Sequence, residues 1–340
     1  MPAPEVCRAV SNPQDGLVVR TVALARRRSR SGRSHPQSVL RADDLTRDMV
    51  KTYVRLPHAL QRTAVRAAHR IGLRTASHYL FGPLDLGADG VEHIGGTSRY
   101  GRRQKETHLG HSYQDVTGPL AASGMAFTPT FGLSGLGLSA VRAALYRYAE
   151  WALDDTRLTS LLTAAEYAEL REGIEAALAE EPTAELAFVA RHGETVRRLV
   201  EQGAHVAVGT DSPLVPPGVY YHLNLQTMVR HGVSPYEALR SATVQGARTL
   251  GLSDQLGTVE PGKLADLVLV EGDPTTDIAA AAAVRQVVVG GIPHTVADLT
   301  ANTKRSRTAV HNAALPDLPQ QPARDRFWWH REEHIHHSCC

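Results

Sequence analysis

From Met49 onward, short apolar runs alternate with longer stretches in which apolar residues recur every three or four positions. Met49-Val50-Lys51-Thr52-Tyr53 reads as a strand, and Ala59–Ile71 then sets Leu60, Ala64, Ala67, Ala68 and Ile71 near one helical face, with Gly72 as its stop. Thr75–Leu80, Gly90–Ile94, Met125–Thr128 and His205–Gly209 are four further predicted strands. Helical patterns cover Ser139–Leu153, Ala164–Glu180, Ala184–Gln202, Tyr220–His231 and Pro235–Leu250, the last opened by Ser234 as N-cap and proline at the first helical position. Strands alternating with helices predict an α/β fold with parallel pairing and right-handed crossovers. Beyond them, Leu256–Val270, with its Glu-Pro-Gly-Lys turn and alternating Leu and Val, and Val284–Val289, turned at Gly290-Gly291, predict a small separate β piece.

The texture divides the chain into a basic, poorly ordered arm (1–45), the alternating α/β part (46–252), the small β segment (253–300) and an aperiodic tail (301–340). Leu17–Ala25 could form one strand within the arm. Arg20, Arg26, Arg27, Arg28, Arg30 and Arg33 crowd the arm, but no aromatic residue interleaves them, which argues for a solvated segment and against a nucleic-acid contact.

Composition narrows the class. With 42% apolar and 21% charged residues over 340 positions, the chain has enough apolar sequence for a sizeable core and is not wholly disordered. The 37 basic side chains against 35 acidic ones leave a net charge of +2, which predicts no acidic partner. No run approaches the roughly 20 apolar residues of a membrane span, and Met1–Gln14 carries no apolar run of leader length. Cys7, Cys339 and Cys340 form neither a disulfide framework nor a zinc ribbon. The expectation is a soluble cytoplasmic protein in a reducing compartment.

Polar residues stand where the predicted strands end: Lys51, His78, His93 and Asp211. In a parallel barrel the carboxyl ends of the strands form the active face. Two neutral imidazoles and a carboxylate suit Zn²⁺, and also Mn²⁺, Fe²⁺ or Co²⁺. A lysine ammonium is no ligand, but its carbamate offers two oxygens that bridge cations. A bound metal would make hydroxide available near neutral pH, and Asp211 would carry a proton from that water to a leaving amine. The chemistry indicated is hydrolysis of an amide or another polarised C–N or C–O bond. Taken singly, His78 also reads as a hydrogen-bonded histidine and Asp211 as an Asx-turn or helix cap.

Gly90-Val91-Glu92-His93-Ile94, Gly209-Thr210-Asp211-Ser212-Pro213 and Leu256–Val270 with Glu271-Gly272-Asp273-Pro274 resemble the amidohydrolase superfamily, in its imidazolonepropionase-like branch. A second set is similar to the amidohydrolase domains fused behind TolB-like β-propellers: Val50-Lys51-Thr52-Tyr53-Val54-Arg55-Leu56-Pro57, Glu92-His93 with Gly96-Thr97-Ser98-Arg99, Tyr113-Gln114-Asp115-Val116 and Thr128-Pro129-Thr130. The resemblance runs from about Leu40 to Asp298. It implies a metal-dependent hydrolase on a (β/α)₈ barrel with a small composite β-sandwich, acting on a small molecule or peptide. It maps the fourth-strand lysine to Lys51, carboxylated and bridging, the fifth- and sixth-strand metal histidines to His78 and His93, and the eighth-strand catalytic, metal-linked aspartate to Asp211. Tyr53, Arg55 and Thr97–Arg99 stand beside these as substrate contacts.

The departure from the family is equally specific. Its first strand carries a His-x-His pair, whereas residues 1–50 hold one histidine, His35. The predicted strands are equivalent to the family's fourth through eighth, so the resemblance implies a partial, N-terminally truncated barrel holding one or two divalent ions. Its unpaired edges at Met49–Thr52 and His205–Gly209 invite a second copy or a complementing chain. His334-x-His336, beside His337 and Cys339-Cys340, would supply substitute ligands if the tail folds back; a mobile, adventitious metal binder is the plainer reading of such a tail. The alternative function is a catalytically incomplete fragment serving as a binding or assembly module.

Overall fold

Five short strands assemble in sequence order into one parallel sheet: β1 (Met49–Thr52), β2 (Arg74–Ser77), β3 (Gly90–Glu92), β4 (Ala126–Thr128) and β5 (His205–Val206). This is a computed structural model, and it describes residues 49–52, 58–78, 81–93, 114–131, 138–179, 182–210 and 217–301. The arm with Leu17–Ala25 and the tail beyond residue 301 lie outside the described residues. Helices fill the crossovers. In chain order they are α1 (His58–Arg70), α2 (Phe81–Leu86), α3 (Gln114–Ser123), α4 (Leu138–Leu145), α5 (Leu158–Leu161), α6 (Ala164–Ala179) and α7 (Thr183–Glu201). After β5 come α8 (Pro217–Arg230), α9 (Pro235–Ala242) and α10 (Val244–Thr249).

Register sorts the sheet into two faces. Thr52, Ser77, Val91, Phe127 and Val206 form one row of partners, and Lys51, Ala76, Gly90, Ala126 and His205 the next. Val91, Phe127 and Val206 join Leu145, Ile174, Phe188, Leu199 and Leu223 in one buried core under the helices. Each such side chain is worth about 1.5–3 kcal/mol when fully buried, so helix packing rather than ladders of two to four residues holds the sheet. The other face carries small residues at its centre, between Lys51 and His205; a Cβ built on Gly90 would touch the Cβ atoms of Ala126 and Ala76 at 3.6 and 3.7 Å. At the amino end, Asp89 ties β2 to the approach of β3: its Oδ2 accepts from Thr75 N–H at 2.7 Å and from the Thr75 hydroxyl at 3.1 Å, and meets His69 Nε2 at 2.8 Å.

Two predicted helices are interrupted. Ser139–Leu153 leaves the α-helix at Leu145 and continues as 3₁₀ turns at Tyr146–Tyr148 and Glu150–Leu153. There Tyr146 meets Tyr220 edge-on, and the Arg230 guanidinium lies over Tyr148 at 4.2 Å. Pro235–Leu250 breaks at Thr243 (φ −125°, ψ −88°). Beside the break, the Ser241 carbonyl accepts from Val208 N–H at 3.2 Å, on the side of the chain away from β4, to which the preceding Ala207 N–H still donates through the Phe127 carbonyl at 2.9 Å. Of the predicted strand His205–Gly209, two residues are strand. As expected, β1 and β5 are the outer strands of this sheet among the described residues.

The C-terminal part is one three-stranded antiparallel sheet, β6 (Leu267–Val270), β7 (Val284–Val289) and β8 (Ile292–Thr295). Only Leu267–Val270 of the expected Leu256–Val270 run is strand, while Gly290-Gly291 makes the predicted turn, both residues at positive φ, into β8.

Gly193 marks where α7 meets the end of α8. A Cβ there would lie 2.4 Å from both Cβ and Cγ of His231. Gly193→Ala is expected to lower stability by about 1–3 kcal/mol from overpacking, despite alanine's helix preference. A denaturant midpoint measures this, and adding His231→Gly, which removes the clashing Cβ as well as the ring, should restore part of the loss. Burial pushes the His205 imidazole below its ordinary pKa, with further lowering by the fields of Arg248 and Arg74. Burial also lowers His222 and His231. Below about pH 6.5 the unfolded chain binds more protons than the folded one, so stability falls as pH drops. The urea midpoint should be lower at about pH 5.5 than at about pH 7.5. His205→Gln, which keeps an N–H donor for the Gln245 carbonyl that His205 Nε2 meets at 2.8 Å, should shrink that difference.

Candidate active site

Parallel pairing carries the carboxyl ends of β1, β2 and β3 to one end of the sheet, and three of the singled-out residues stand there. Lys51 is the third residue of β1, half-buried, in register with Ala76. His78 follows β2 directly and His93 follows β3 directly. Both histidines are buried, at 1% and 2% exposure. Their rings lie side by side, centroids 5.0 Å apart and planes inclined by 39°. All four ring nitrogens are shielded from solvent.

Strain gathers at this end. His93 has φ 59° and Thr130 φ 47°, the two positive-φ residues other than glycine among those described. The left-handed region costs a residue with a Cβ roughly 1–2 kcal/mol, and for β-branched Thr130 it is a true outlier. Such strain persists where surrounding bonds over-determine it, commonly at functional sites. Here His93 N–H donates to the Thr128 carbonyl at 2.8 Å. Past Thr130, Phe131 N–H donates to Asn224 Oδ1 at 2.9 Å, and Asn224 Nδ2 donates to the Tyr220 carbonyl at 2.7 Å, so α8 pins the turn after β4. Gly209 passes so close to β4 that a Cβ on it would lie 2.5 Å from Thr128 Cγ2.

Thr130 and Asn224 are positions that the sequence did not single out for the site's geometry. Thr128-Pro129-Thr130 marks a strand end, but the conformation of Thr130 has no signature of its own, and Asn224 shows only as a polar residue within an apolar helix pattern. Asp211, Tyr53, Arg55 and Thr97–Arg99 lie outside the described residues, as do His334, His336 and the terminal cysteines. Among the described residues, no three His, Cys, Asp or Glu side chains gather as a cation site. The donors in place are therefore a pair of imidazoles with Lys51 on the adjacent strand. As a donor set this pair fits part of a divalent-cation site, since a neutral imidazole offers one lone pair and zinc takes several such ligands. No described helix is long and apolar enough to cross a membrane.

Residues 59–292 match the sequence model of the Amidohydrolase family. That span contains His78, His93 and Asp211 and begins after Lys51. A 5-methylthioadenosine/S-adenosylhomocysteine deaminase of Teredinibacter turnerae is 34% identical over 82 residues, 22% of this chain and 19% of that protein. An imidazolonepropionase of Deinococcus deserti is 42% identical over 85 residues, 24% of this chain and 21% of its own length. These alignments thus span about a fifth of each curated relative. Among solved structures, a bottromycin amidohydrolase superimposes with a TM-score of 0.50 at 21% identity, over 78% of this chain and 60% of that one. That likeness supports the α/β fold with a parallel sheet.

The strain at His93 is measurable apart from any chemistry. His93→Gly and His93→Ala both remove the imidazole, but only glycine adopts φ 59° without a steric cost. The glycine variant should be the more stable by about 1 kcal/mol in chemical denaturation. An alanine variant of equal or greater stability would show the backbone there to be relaxed.

Proposed function

Because this chain belongs to the amidohydrolase family, we propose that it hydrolyses a C–N bond of an amide, peptide or cyclic amide at the carboxyl end of its parallel sheet. The observation that carries this reading is the buried pair His78 and His93, ring centroids 5.0 Å apart at the ends of neighbouring strands. Rings this close are within reach of one cation that binds nitrogen at about 2.0–2.1 Å. In this reading β1–β5 correspond to strands four through eight of a (β/α)₈ barrel. Residues 253–300 form part of a separate small β-sandwich. The alternative of a binding or assembly module gains no support from the family match.

His78 and His93 would hold the cation as neutral imidazoles. Lys51 would add a ligand as its carbamate, formed when its amine bonds to CO₂ and loses a proton. Asp211 would complete the set. A divalent cation, zinc by this donor chemistry, supplies a water whose pKa lies near 7 instead of 15.7. Asp211 takes the proton of the attacking water and returns it to the leaving nitrogen: a C–O bond forms, the C–N bond breaks, and the products are an acid and an amine. Tyr53, Arg55 and Arg99 orient the substrate. Burial of both imidazoles keeps bulk water from competing for the cation.

The test uses the full chain purified with zinc. Metal content by mass spectrometry should approach one or two equivalents and drop sharply in a His78→Ala, His93→Ala double variant, whereas His69→Ala, on the opposite end of the sheet, should retain it. Amine release from a panel of N-acyl amino acids, dipeptides and cyclic amides should be abolished by chelator and restored by zinc. It should fall about 10²–10⁴-fold in Asp211→Asn. Zinc retained equally by the double histidine variant, or no chelator-sensitive turnover across the panel, would overturn the proposal.

A further inference from the structure

At the other end of the sheet, beside the amino end of β5, lies a cleft of about 520 Å³ between α7, α9 and α10. Its wall carries Arg197, Arg240 and Arg248 against Glu201 and Glu237, one positive charge in excess. Arg197 pairs with Glu201 one turn on, and Arg240 Nη1 bonds both oxygens of Glu237 at 2.9 and 3.2 Å. The Arg248 guanidinium has no ion pair or hydrogen bond among the described residues. Gln245, one helical turn before it, has its Oε1 buried in the wall without a hydrogen-bond partner there. A buried amide oxygen left so is costly, and an amide turned over presents N–H donors instead. Arg248 thus offers an exposed guanidinium with no protein partner among the described residues, and Gln245, once turned over, adds N–H donors beside it.

We propose that this cleft binds a small phosphomonoester, its phosphate held by Arg248 with Gln245 and Arg240, and its hydroxyl groups donating to Glu201 and Glu237. Arginine's planar fork matches phosphate oxygens two at a time. The Arg–Glu pairs are solvent-accessible and individually weak, so each guanidinium can turn its unused N–H groups to a ligand. The two carboxylates disfavour a polyanion and suit a hydroxylated body. The volume fits a small ligand. Gly232, at φ 93°, helps shape the wall: a Cβ there would lie 2.7 Å from Arg197 Cδ. Because Gln245 and Thr249 also hold His205, the first residue of β5, through contacts of 2.8 and 3.1 Å, an occupied cleft would be coupled to the sheet itself. The site is independent of the hydrolytic reading, since it shares no residue with it.

Isothermal titration of the full chain with glycerol 3-phosphate, at ionic strength fixed with KCl, tests this. Saturable binding is expected, weakened about tenfold by Arg248→Ala and a few-fold by Gln245→Leu. Arg171→Ala, an exposed arginine paired with Glu175 on α6, should leave it unchanged. Glycerol alone should not bind measurably. No saturation up to about 20 mM, or equal weakening by Arg171→Ala, would overturn the proposal. If Arg248→Ala lowers the melting temperature, Gln245→Leu decides, since it preserves the side chain's volume and the backbone carbonyl that receives His205.

Discussion

Parallel pairing between segments distant in sequence is the constraint on which the site depends. β1 and β3 lie about forty residues apart and do not pair with each other, yet both pair with β2, and their registers fix where Lys51, His78 and His93 stand. The ladders are too short to hold this arrangement alone. It is the opposite face, where Val91, Phe127 and Val206 sink among Leu145, Ile174, Phe188, Leu199 and Leu223, that makes the register expensive to change. A one-residue slip would send Val91, Phe127 and Val206 toward the other face and bring Gly90, Ala126 and His205 into the core.

The backbone at the carboxyl end shows what this placement costs. His93 and Thr130 adopt left-handed conformations just where β3 and β4 end, and Gly209 occupies a space that no side chain fits. Each feature turns the chain abruptly at the mouth instead of letting it run on as strand. Asn224, from a helix nearly a hundred residues on, fixes one of these turns by a single side-chain hydrogen bond. The same sheet has a second polar region at its other end, around Arg248 and Gln245, linked to β5 through His205.

Much of this was legible in the residue pattern. β1, α1, α6, α7 and β7 fall within a residue or two of their predicted limits, because each has strong apolar periodicity and a clear stop such as Gly72 or Gly203. The helices α2 and α3 carry no clear mark in the residue pattern, since Pro83 and the Gly118-Pro119 pair are residues that favour turns, although both segments are helical. The break at Thr243 was hidden because its cause, the diversion of the Ser241 carbonyl to Val208, is tertiary. Lys51, His78 and His93 were legible as polar residues at strand ends. The positive φ of His93 and the role of Asn224 were not, since neither leaves a mark in local sequence.

The central claim is that His78 and His93 converge on one cation at the carboxyl end of the parallel sheet. Anomalous diffraction at the zinc edge, from crystals of the zinc-loaded chain, tests it most directly. The account predicts a peak about 2.0–2.1 Å from one ring nitrogen of each histidine, with Lys51 and Asp211 as the neighbouring side chains. A peak bound elsewhere, or both imidazoles turned away from any peak, would contradict it.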